Sequence, residues 1–274
     1  MVPTESAHLF KKGSKTFFTS SIFFPKSTRE EITILYGFVR KADDLVDQIP
    51  QDKKGFHAFV ASYRAALKGK PVSDPVIKAF VTLAKEKQFP EEWTESFLSA
   101  MEQDLSIKQY ATIVDTQRYI YGSADVIGLF VAKILKLPKE AYATAQMLGK
   151  SFQFLNFIRD VQEDVELGRQ YFPSQDLEKF GLSNLSQHEI QSKPDRFKKF
   201  MTFQLSRYTS WQDQAEAGFK YLPKKYLVPI KTASDLYKWT ASVIAHDPFI
   251  VYQKKVKPTK VRILWTVVKN VFFL

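Results

Sequence analysis

The sequence predicts an all-α protein, and three observations carry this prediction. Apolar residues recur with a helical period along nearly the whole chain. Prolines at positions 50, 71, 75, 90, 138, 173, 223 and 258 stand between the periodic segments, where helices begin and end. No alternating apolar run lies between Gly or Asn turns, so sheet is expected to be minor or absent. Because internal repeats and long Gly/Ser linkers are also lacking, we expect residues 1–274 to form one domain.

The first predicted helix begins at Ser27 and ends near Gln48. Ser27 and Glu30 have the spacing of a capping box, with Ser27 at the N-cap and Glu30 at N3, and Pro50 ends the helical period. Further helices are predicted over 52–68, 75–87, 91–105, 114–136, 139–167, 196–220, 225–246 and 259–272. Each of these segments has a proline within a few residues of one of its ends.

Composition places the chain among ordinary globular proteins. Of its 274 residues 45% are hydrophobic and 25% charged, and the 15% of aromatic residues provide flat apolar surface for a core or an oily ligand. Cysteine is absent, which excludes disulfides, cysteine-ligated metals and a thiol nucleophile. The first residues do not resemble a signal peptide, and no run reaches the ~18 apolar residues of a membrane-spanning helix. A cytoplasmic protein is therefore expected.

The positive charge is concentrated towards the end of the sequence. The net charge is +11; residues 220–274 hold 11 basic and two acidic residues, whereas the preceding 219 residues hold 29 and 27. Such a patch is typical of a surface that faces phosphates or anionic lipid, and it argues against nucleic acid as a partner. A solvated lysine-rich end is the alternative interpretation.

Two acidic clusters dominate the polar residues of the predicted helices. The first is Asp43-Asp44-Leu-Val-Asp47, and at 100° per residue Tyr36, Arg40, Asp43 and Asp47 fall within about 60° on one helix face. Asp44 points about 100° away from Asp43. In the second cluster, Asp160-Val-Gln-Glu-Asp164, the side chains of Gln153, Asn156, Asp160 and Asp164 fall within about 80°.

Aspartates one helical turn apart repel each other, so a counter-charge is expected at both clusters. Oxygen ligands without cysteine or clustered histidine favour a hard cation, above all Mg²⁺, which usually completes its coordination with water and substrate phosphates. The neighbouring Arg40, Arg159 and Arg169 are suited to bidentate contact with those phosphates. For one such pair alone a solvated helix face would be the simpler interpretation; two pairs favour a metal–diphosphate site.

The residues around these clusters resemble the squalene/phytoene synthase family over nearly the whole chain. Gly13-Ser-Lys-Thr-Phe17 is similar to the family's N-terminal Ser-Lys-Ser-Phe segment, and residues 35–47 resemble its first aspartate-rich motif. Residues 153–164, followed by Gly168-Arg-Gln-Tyr-Phe-Pro173, resemble the second motif. This resemblance implies an isoprenoid synthase fold, in which helices surround a central apolar cavity and the two motifs face each other across it.

The resemblance also implies roles for individual side chains. Asp43, Asp47, Asp160 and Asp164 would be the catalytic residues that bind Mg²⁺ and diphosphate, with Asn156 as a further metal ligand. The residues implied to hold the diphosphates are Ser14, Arg40, Asn156, Arg159, Arg169 and Tyr171. Those implied to line the cavity near the reacting carbons are Phe17, Tyr36, Tyr119 and Gln153.

The activity implied is head-to-head joining of two prenyl diphosphates with Mg²⁺, or Mn²⁺ in its place, and without NADPH. The sequence is most like phytoene synthases, which convert two geranylgeranyl diphosphates through a cyclopropyl (prephytoene) diphosphate in carotenoid biosynthesis. Dehydrosqualene or squalene formation from farnesyl diphosphate is the close alternative. A non-catalytic family member that binds lipid is the alternative from another class, and the intact motifs argue against it.

Four further features have no role in this implied site. Asp125 stands where the family usually has glycine, and residues 245–249 lack the tyrosine that many members place there. Asp104, in Met101-Glu-Gln-Asp-Leu105, lies in a segment that resembles the family's, and a capping or salt-bridge role is at least as well supported. Residues 259–274 are apolar on most sides yet carry Lys260, Arg262 and Lys269, which is typical of a helix lying peripherally on an anionic membrane at its inner face. A terminal helix packed on the domain is the alternative.

Overall fold

The described part of the chain is built almost entirely from helices. The computed structural model describes residues 2–13 and 15–273, without the side chains of Lys15, Thr16, Phe17 and Phe273. Its α-helices are α1 (Thr4–Gly13), α2 (Lys15–Ser21), α3 (Lys26–Asp47), α4 (Lys53–Leu67), α5 (Pro75–Lys87), α6 (Glu91–Gln103), α7 (Ile113–Ile120), α8 (Val126–Ile134), α9 (Tyr142–Arg159), α10 (Val161–Glu166), α11 (Ser174–Lys179), α12 (Gln187–Ser192), α13 (Pro194–Glu216), α14 (Lys224–His246) and α15 (Lys260–Phe273). Within these residues there is no strand, only an isolated bridge between Gln109 and Gln170. The all-α prediction is confirmed.

Several helix starts follow from local chemistry. Asp52 caps α4 by accepting from the Gly55 N–H, and Asp74 caps α5 by accepting from the N–H groups of Val76 and Ile77. A capping box does occur, but at Thr112 and Asp115 of α7. The capping box predicted at Ser27 and Glu30 is wrong, because the N-cap of α3 is Pro25, two residues before Ser27, and no side chain caps the helix. Ser27 therefore lies inside the first turn.

Two predicted helices are divided in the structure. Segment 114–136 becomes α7, a π-helical turn (Tyr121–Asp125) and α8, whereas 139–167 becomes a 3₁₀ turn (Lys139–Ala141), α9 and α10. The helix predicted at 196–220 becomes α13 followed by a 3₁₀ turn (Ala217–Tyr221), and a further 3₁₀ turn covers Pro248–Tyr252. The sequence did not predict α1, α2, α11 and α12, which have ten residues or fewer and depend on tertiary packing more than on their own periodicity.

Helix α9 lies at the centre of the packing. It contacts α8, the π-helical turn, α13 and α14, while α3 packs on α1, α4 and α5 through a buried aromatic cluster that includes Phe38, Tyr63 and Phe80. Two glycines let α9 meet α8 and the π-helical turn before it backbone to backbone: a Cβ at Gly128 would lie 2.1 Å from the Ala145 carbonyl oxygen. One at Gly149 would lie 2.3 Å from that of Ala124. This close pair forms one wall of the cavity described below.

The helices of the described chain fall short of a membrane span. None of them combines the length and the apolar character that crossing a bilayer requires. The tail segment predicted to be helical is α15, and its buried residues Ile263, Val267 and Asn270 face α14 and the body of the protein.

Candidate active site

A cavity of about 710 Å³ lies among α3, α8, α9, α10 and α14. Its polar lining comes from the two aspartate clusters and from Arg40, Arg159 and Arg169. Its apolar lining includes Val131 of α8, Leu135 directly after α8, Leu148 of α9 and Phe219. The cavity therefore joins a strongly charged region to an apolar one, as a ligand with an ionic head and an oily chain requires.

In the first acidic cluster, Arg40 of the same helix forms ion pairs with two of the aspartates. One nitrogen of Arg40 lies 2.6 Å from Asp43 and the other lies 2.6 Å from Asp44, so the guanidinium spans both neighbours. The sequence placed Asp43 and Asp47 on one face with Arg40, and all three line the cavity. Asp44 does not line it and is 38% exposed at its side chain, which agrees with its position round the helix.

The second cluster sits at a break in the helix. Asp160 leaves the helical conformation (φ −102°, ψ 18°) between α9 and α10, although its N–H still donates to the Asn156 carbonyl and its carbonyl accepts from the Asp164 N–H. Its carboxylate receives two hydrogen bonds from Arg159, at 2.7 and 2.6 Å. At this break the side chains of Arg159 and Asp160 line the cavity, and Asp164, one helical turn later, lines it too.

A turn after α10 carries Arg169 back across the site. Gly168 has a left-handed φ of 66°, the Arg169 N–H donates to the Asp164 carbonyl, and the Gly168 N–H donates to that of Val165. The Arg169 guanidinium then donates to Asp47 at 2.6 Å and to the Val46 carbonyl at 2.6 Å. Arg169 is 5% exposed, so a nearly buried cation connects the second motif to the first.

A third carboxylate, Asp104, joins this arrangement at the end of α6. It accepts hydrogen bonds from the hydroxyls of Tyr119 and Tyr171, both at 2.8 Å, and is 2% exposed. Arg169 also donates to the Tyr171 hydroxyl at 3.3 Å. The sequence expected Asp104 to cap or to pair with a cation; instead it orients two tyrosines that line the cavity, a long-range contact that no local pattern indicates.

Burial and the repulsion between neighbouring carboxylates raise the pKa values of three aspartates in the site. Burial, with a further contribution from the Asp47 carboxylate, raises the pKa of Asp43 to about 8 in spite of Arg40. Burial and the Asp160 carboxylate raise the pKa of Asp164 well above its usual range. Burial also raises the pKa of Asp104 to about 6. Because these surroundings disfavour the charged form of the carboxyl groups, an added cation would stabilise that charged form.

The donor chemistry of the site fits Mg²⁺. Its lining offers carboxylate and amide oxygens from both clusters, and Asn156 donates to Gln153 at 3.3 Å while accepting from Tyr237 at 3.4 Å. Among the described residues no three His, Asp or Glu side chains already converge as a metal cage. Mg²⁺ typically binds through one or two carboxylates and takes its remaining oxygens from water and substrate phosphates.

The structure brings the predicted site residues together. All those whose side chains it describes line the one cavity: Tyr36, Arg40, Asp43, Asp47, Tyr119, Gln153, Asn156, Arg159, Asp160, Asp164, Arg169 and Tyr171. Ser14 and the side chain of Phe17 lie outside the described residues. The ligand and diphosphate roles of all of these residues stay predictions.

Tyr237, Lys255 and Lys257 also line the cavity, and the sequence assigned no site role to any of them. Tyr237 stacks on Phe152, with ring centroids 4.0 Å apart. Lys255 lies 3.2 Å from Asp160 and also pairs with Glu163. Burial, together with the charge of Lys255, lowers the pKa of Lys257. The basic end of the sequence was the available signal for the lysines, because it indicated a patch that faces phosphates.

Asp125 does not line the cavity. It is 3% exposed and lies 3.4 Å from the Lys150 ammonium, on the far side of the wall where Ala124 meets Gly149. Burial raises the pKa of Asp125 to about 6, although Lys150 opposes the shift. Ala124 and Gly149 do line the cavity, so this ion pair acts behind its wall.

Comparison with known proteins gives a consistent result. The profile of the squalene/phytoene synthase family matches residues 10–262. The chain is 27% identical over 270 residues to 15-cis-phytoene synthase of Synechococcus elongatus, covering 92% of this chain and 86% of that protein. It is 29% identical over 242 residues to 15-cis-phytoene synthase of Pantoea ananas, covering 82% and 77%.

Solved structures give the same fold. A dehydrosqualene synthase in complex with a ligand has a TM-score of 0.85 at 20% identity, covering 98% of this chain and 96% of that chain. A squalene synthase from Alicyclobacillus acidocaldarius has a TM-score of 0.79 at 23% identity, covering 89% and 93%. At these identities the likeness concerns the fold, and it confirms the helical isoprenoid synthase architecture.

Proposed function

The chain belongs to the squalene/phytoene synthase family of prenyltransferase-type enzymes, and we propose that it converts two geranylgeranyl diphosphates into phytoene for carotenoid biosynthesis. The observation that carries the proposal is the single cavity in which two aspartate clusters and three arginines adjoin apolar walls. The names of the relatives at 27–29% identity favour phytoene over other head-to-head products.

The proposal includes Mg²⁺ as the cofactor, with Mn²⁺ as a substitute. Asp43, Asp47, Asp160, Asp164 and Asn156 would hold it. When bound, the ion neutralises the leaving diphosphate and so lowers the barrier to breaking the carbon–oxygen bond. The raised pKa of Asp43 means that a proton leaves this carboxyl when the cation arrives.

The protein's arginines would hold the two diphosphates. Arg40 and Arg159 line the cavity and are engaged with aspartates, at 2.6 Å in each case. A bound metal–diphosphate would take over those carboxylates and leave the guanidiniums free to make bidentate contacts with phosphate oxygens. Ser14, Arg169 and Tyr171 would complete the diphosphate contacts.

The first half-reaction forms a cyclopropane. The C1–O bond of one substrate breaks, its diphosphate departs, and an allylic cation remains. The double bond of the second substrate attacks that C1, and loss of one proton closes the ring of prephytoene diphosphate. Phe17, Tyr36, Tyr119 and Gln153 would line the space around the reacting carbons, where aromatic faces stabilise the cation and keep water away.

The second half-reaction opens the ring. The remaining C–O bond breaks, the second diphosphate departs, and the cation rearranges until loss of a second proton gives phytoene. Two substrates thus yield one hydrocarbon, two diphosphates and two protons. This balance requires no electrons, so NADPH is not expected.

A product assay tests the proposal. Purified protein with Mg²⁺ receives geranylgeranyl or farnesyl diphosphate in separate reactions, with and without NADPH, and the extracted hydrocarbons are identified by mass. A forty-carbon product without NADPH is expected. A thirty-carbon product would instead assign the chain to dehydrosqualene or squalene synthesis. Lack of turnover by folded protein would contradict the catalytic proposal and favour a lipid-binding family member.

Variants in the two aspartate motifs provide the control. Asp43→Asn and Asp160→Asn keep the size of each side chain but remove a charged ligand, and each should lower kcat at least 100-fold. Asp44→Asn is the matched control, because Asp44 neighbours Asp43 but does not line the cavity, and it should retain most of the activity.

The proposal places the enzyme on the cytoplasmic side of a membrane as a peripheral protein. Its substrates carry long hydrocarbon chains and its product is a hydrocarbon, so both partition into lipid. The concentration of positive charge in residues 220–274 supports contact with an anionic surface.

A further inference from the structure

Helix α15 has two apolar faces, and only one of them is covered by protein. Ile263, Thr266, Val267 and Asn270 are buried and span an arc of about 100° at 100° per residue. On the opposite side a second apolar set is exposed. We call it the outer stripe; it consists of Val261, Leu264, Trp265, Val268, Val271 and Phe272.

The outer stripe is large for a solvent-facing surface. Its members are 44–79% exposed, and at 100° per residue they fall within an arc of about 120° along the whole helix. Single exposed apolar side chains are ordinary, but a contiguous stripe of six on one helix marks an interaction surface. A tryptophan within such a stripe is typical of helices that lie at a membrane–water interface.

Cations border the outer stripe on both sides. By the same helical angles Lys260 lies beside one edge, and Arg262 and Lys269 lie beside the other. Arg262 stacks on Trp239 with its guanidinium 4.6 Å from the ring centroid, so this cation is held in place. From residue 248 onwards the sequence contains six basic residues and no acidic one.

We propose that the outer stripe of α15 docks on an anionic lipid bilayer, with α15 lying in the plane of the interface. The border cations contact lipid phosphates while the stripe enters the acyl boundary. The choice of occupant rests partly on the proposed function, whose substrates and product belong in lipid. A second copy of the chain suits the stripe less well. Pairing two copies through their stripes would bring the border cations of one copy against those of the other, and from residue 248 onwards the sequence has no acidic residue to offset them.

Docking through α15 would bring the cavity close to lipid. Helix α2 packs on both α14 and α15, and Ser20 and Ser21 of α2 line the cavity. The helix that would dock on the bilayer is thus in direct contact with an element of the cavity wall. The turn after α2 exposes two more apolar side chains, Ile22 (48%) and Phe23 (39%).

Vesicle flotation of the full chain tests the docking. The stripe variant is Leu264→Gln, Trp265→Gln and Phe272→Gln, which keeps the net charge and avoids the buried face of α15. The matched control places the same three changes on exposed apolar side chains elsewhere, as Ile49→Gln, Ile107→Gln and Val114→Gln. A second variant, Lys260→Gln with Lys269→Gln, removes two border cations only.

Wild type and the matched control should float with vesicles containing about 30% phosphatidylglycerol, and bind at least tenfold more weakly to pure phosphatidylcholine. The stripe variant should lose about 100-fold in partition coefficient. The lysine variant should lose roughly tenfold or more, and added salt should diminish that difference. All variants should keep wild-type activity on detergent-dispersed substrate.

Equal flotation of the stripe variant and the matched control would overturn the proposal. So would failure of the wild type to bind anionic vesicles at low salt. A wild-type dimer that the stripe variant converts to a monomer, without vesicle binding, would assign the stripe to a second copy instead. Flotation needs no turnover, so its failure is distinct from failure of the proposed catalysis.

Discussion

At the scale of single residues, Asp104 shows how the site is held in shape. It is buried at the end of α6, yet two tyrosines from other segments donate to it, and Tyr171 also contacts Arg169, which reaches Asp47. One carboxylate thus connects both aspartate motifs through hydrogen bonds. Asp104 is therefore a positioning residue for groups that would contact substrate.

We expect Asp104→Asn to lower kcat about 10- to 100-fold with little change in KM. The amide cannot accept from both tyrosine hydroxyls through two oxygens, and it removes a negative charge near Arg169. Steady-state kinetics and a thermal melt measure the effect. Glu102→Gln in the same helix is the matched control, because Glu102 is exposed and pairs with His57. Equal kinetics for both variants would contradict the positioning role.

Asp125 gives a prediction about pH. Its pKa is raised to about 6 in the folded protein, so it keeps its proton there at pH values where the unfolded chain has lost it. The free energy of unfolding therefore falls as pH rises from about 4 to about 6, by up to roughly 3 kcal/mol from this group. Asp125→Asn lacks this loss, and its Tm relative to wild type should rise by about 5 °C across that range.

Asp115→Asn is the comparison for this pH series. Hydrogen bonds from Thr112 lower the pKa of Asp115, so its contribution to stability is present at neutral pH and is lost as pH falls. The Tm deficit of this variant should therefore shrink towards acid pH, whereas any advantage of Asp125→Asn should grow towards neutral pH. A Tm difference for Asp125→Asn that does not change with pH would contradict the burial argument for Asp125.

At the scale of elements, the turn after α10 decides where Arg169 goes. Gly168 has a φ of 66°, and a Cβ attached to it would meet no atom within 4 Å beyond its chain neighbours. A substitution there costs backbone strain without a clash. A substitution at Gly168 therefore tests the backbone conformation of the turn without adding a side-chain clash.

We expect Gly168→Val to lower the free energy of unfolding by about 1–2 kcal/mol and to reduce activity at least tenfold, because Arg169 shifts away from Asp47. Gly168→Asn is the matched control, since asparagine tolerates the left-handed region, and it should retain most of both properties. Thermal melts and the product assay provide the measurements. A valine variant as active as the asparagine variant would show that the turn does not position Arg169.

The sequence predicted the ends of a helix well where local capping chemistry determines them. Helix α5 begins at Pro75 and ends at Lys87 as predicted, because Asp74 caps it and Pro75 suits the first turn. The capping box at Ser27 failed because Pro25 already starts the helix. The break at Asp160 was also not predicted. Its neighbours have a helical pattern, and the tertiary contact with Lys255 lies almost a hundred residues away in sequence.

The same distinction holds for the site. Helical angles placed Arg40, Asp43 and Asp47 on one face, and the structure lines the cavity with all three. The sequence assigned Tyr237 no role and did not predict the tyrosine partners of Asp104, because both residues acquire their partners by folding. Site residues that share one helix face can thus be predicted from their spacing in the sequence. Contacts between residues of different helices become visible only in the folded structure.

At the scale of the whole molecule, the cavity brings together buried carboxyl groups from separate segments of the chain. Asp43 and Asp164 both have raised pKa values, chiefly through burial. Diphosphate alone would add to the repulsion, and Mg²⁺ alone lacks the phosphate oxygens that complete its coordination. The two should therefore bind together, and their joint binding should stabilise the whole fold.

We expect Mg²⁺ with inorganic pyrophosphate to raise the Tm by about 5–10 °C at 100-fold excess over Kd, and either one alone to raise it by less than about 2 °C. EDTA should reverse the joint shift. The shift should be larger at pH 8.5 than at pH 6.5, because the metal must displace the proton that Asp43 retains up to about pH 8. Asp43→Asn with Asp164→Asn should lose the joint shift, whereas Asp44→Asn should keep it. If pyrophosphate alone stabilised wild type as much as the pair, arginines and not a metal would account for diphosphate binding.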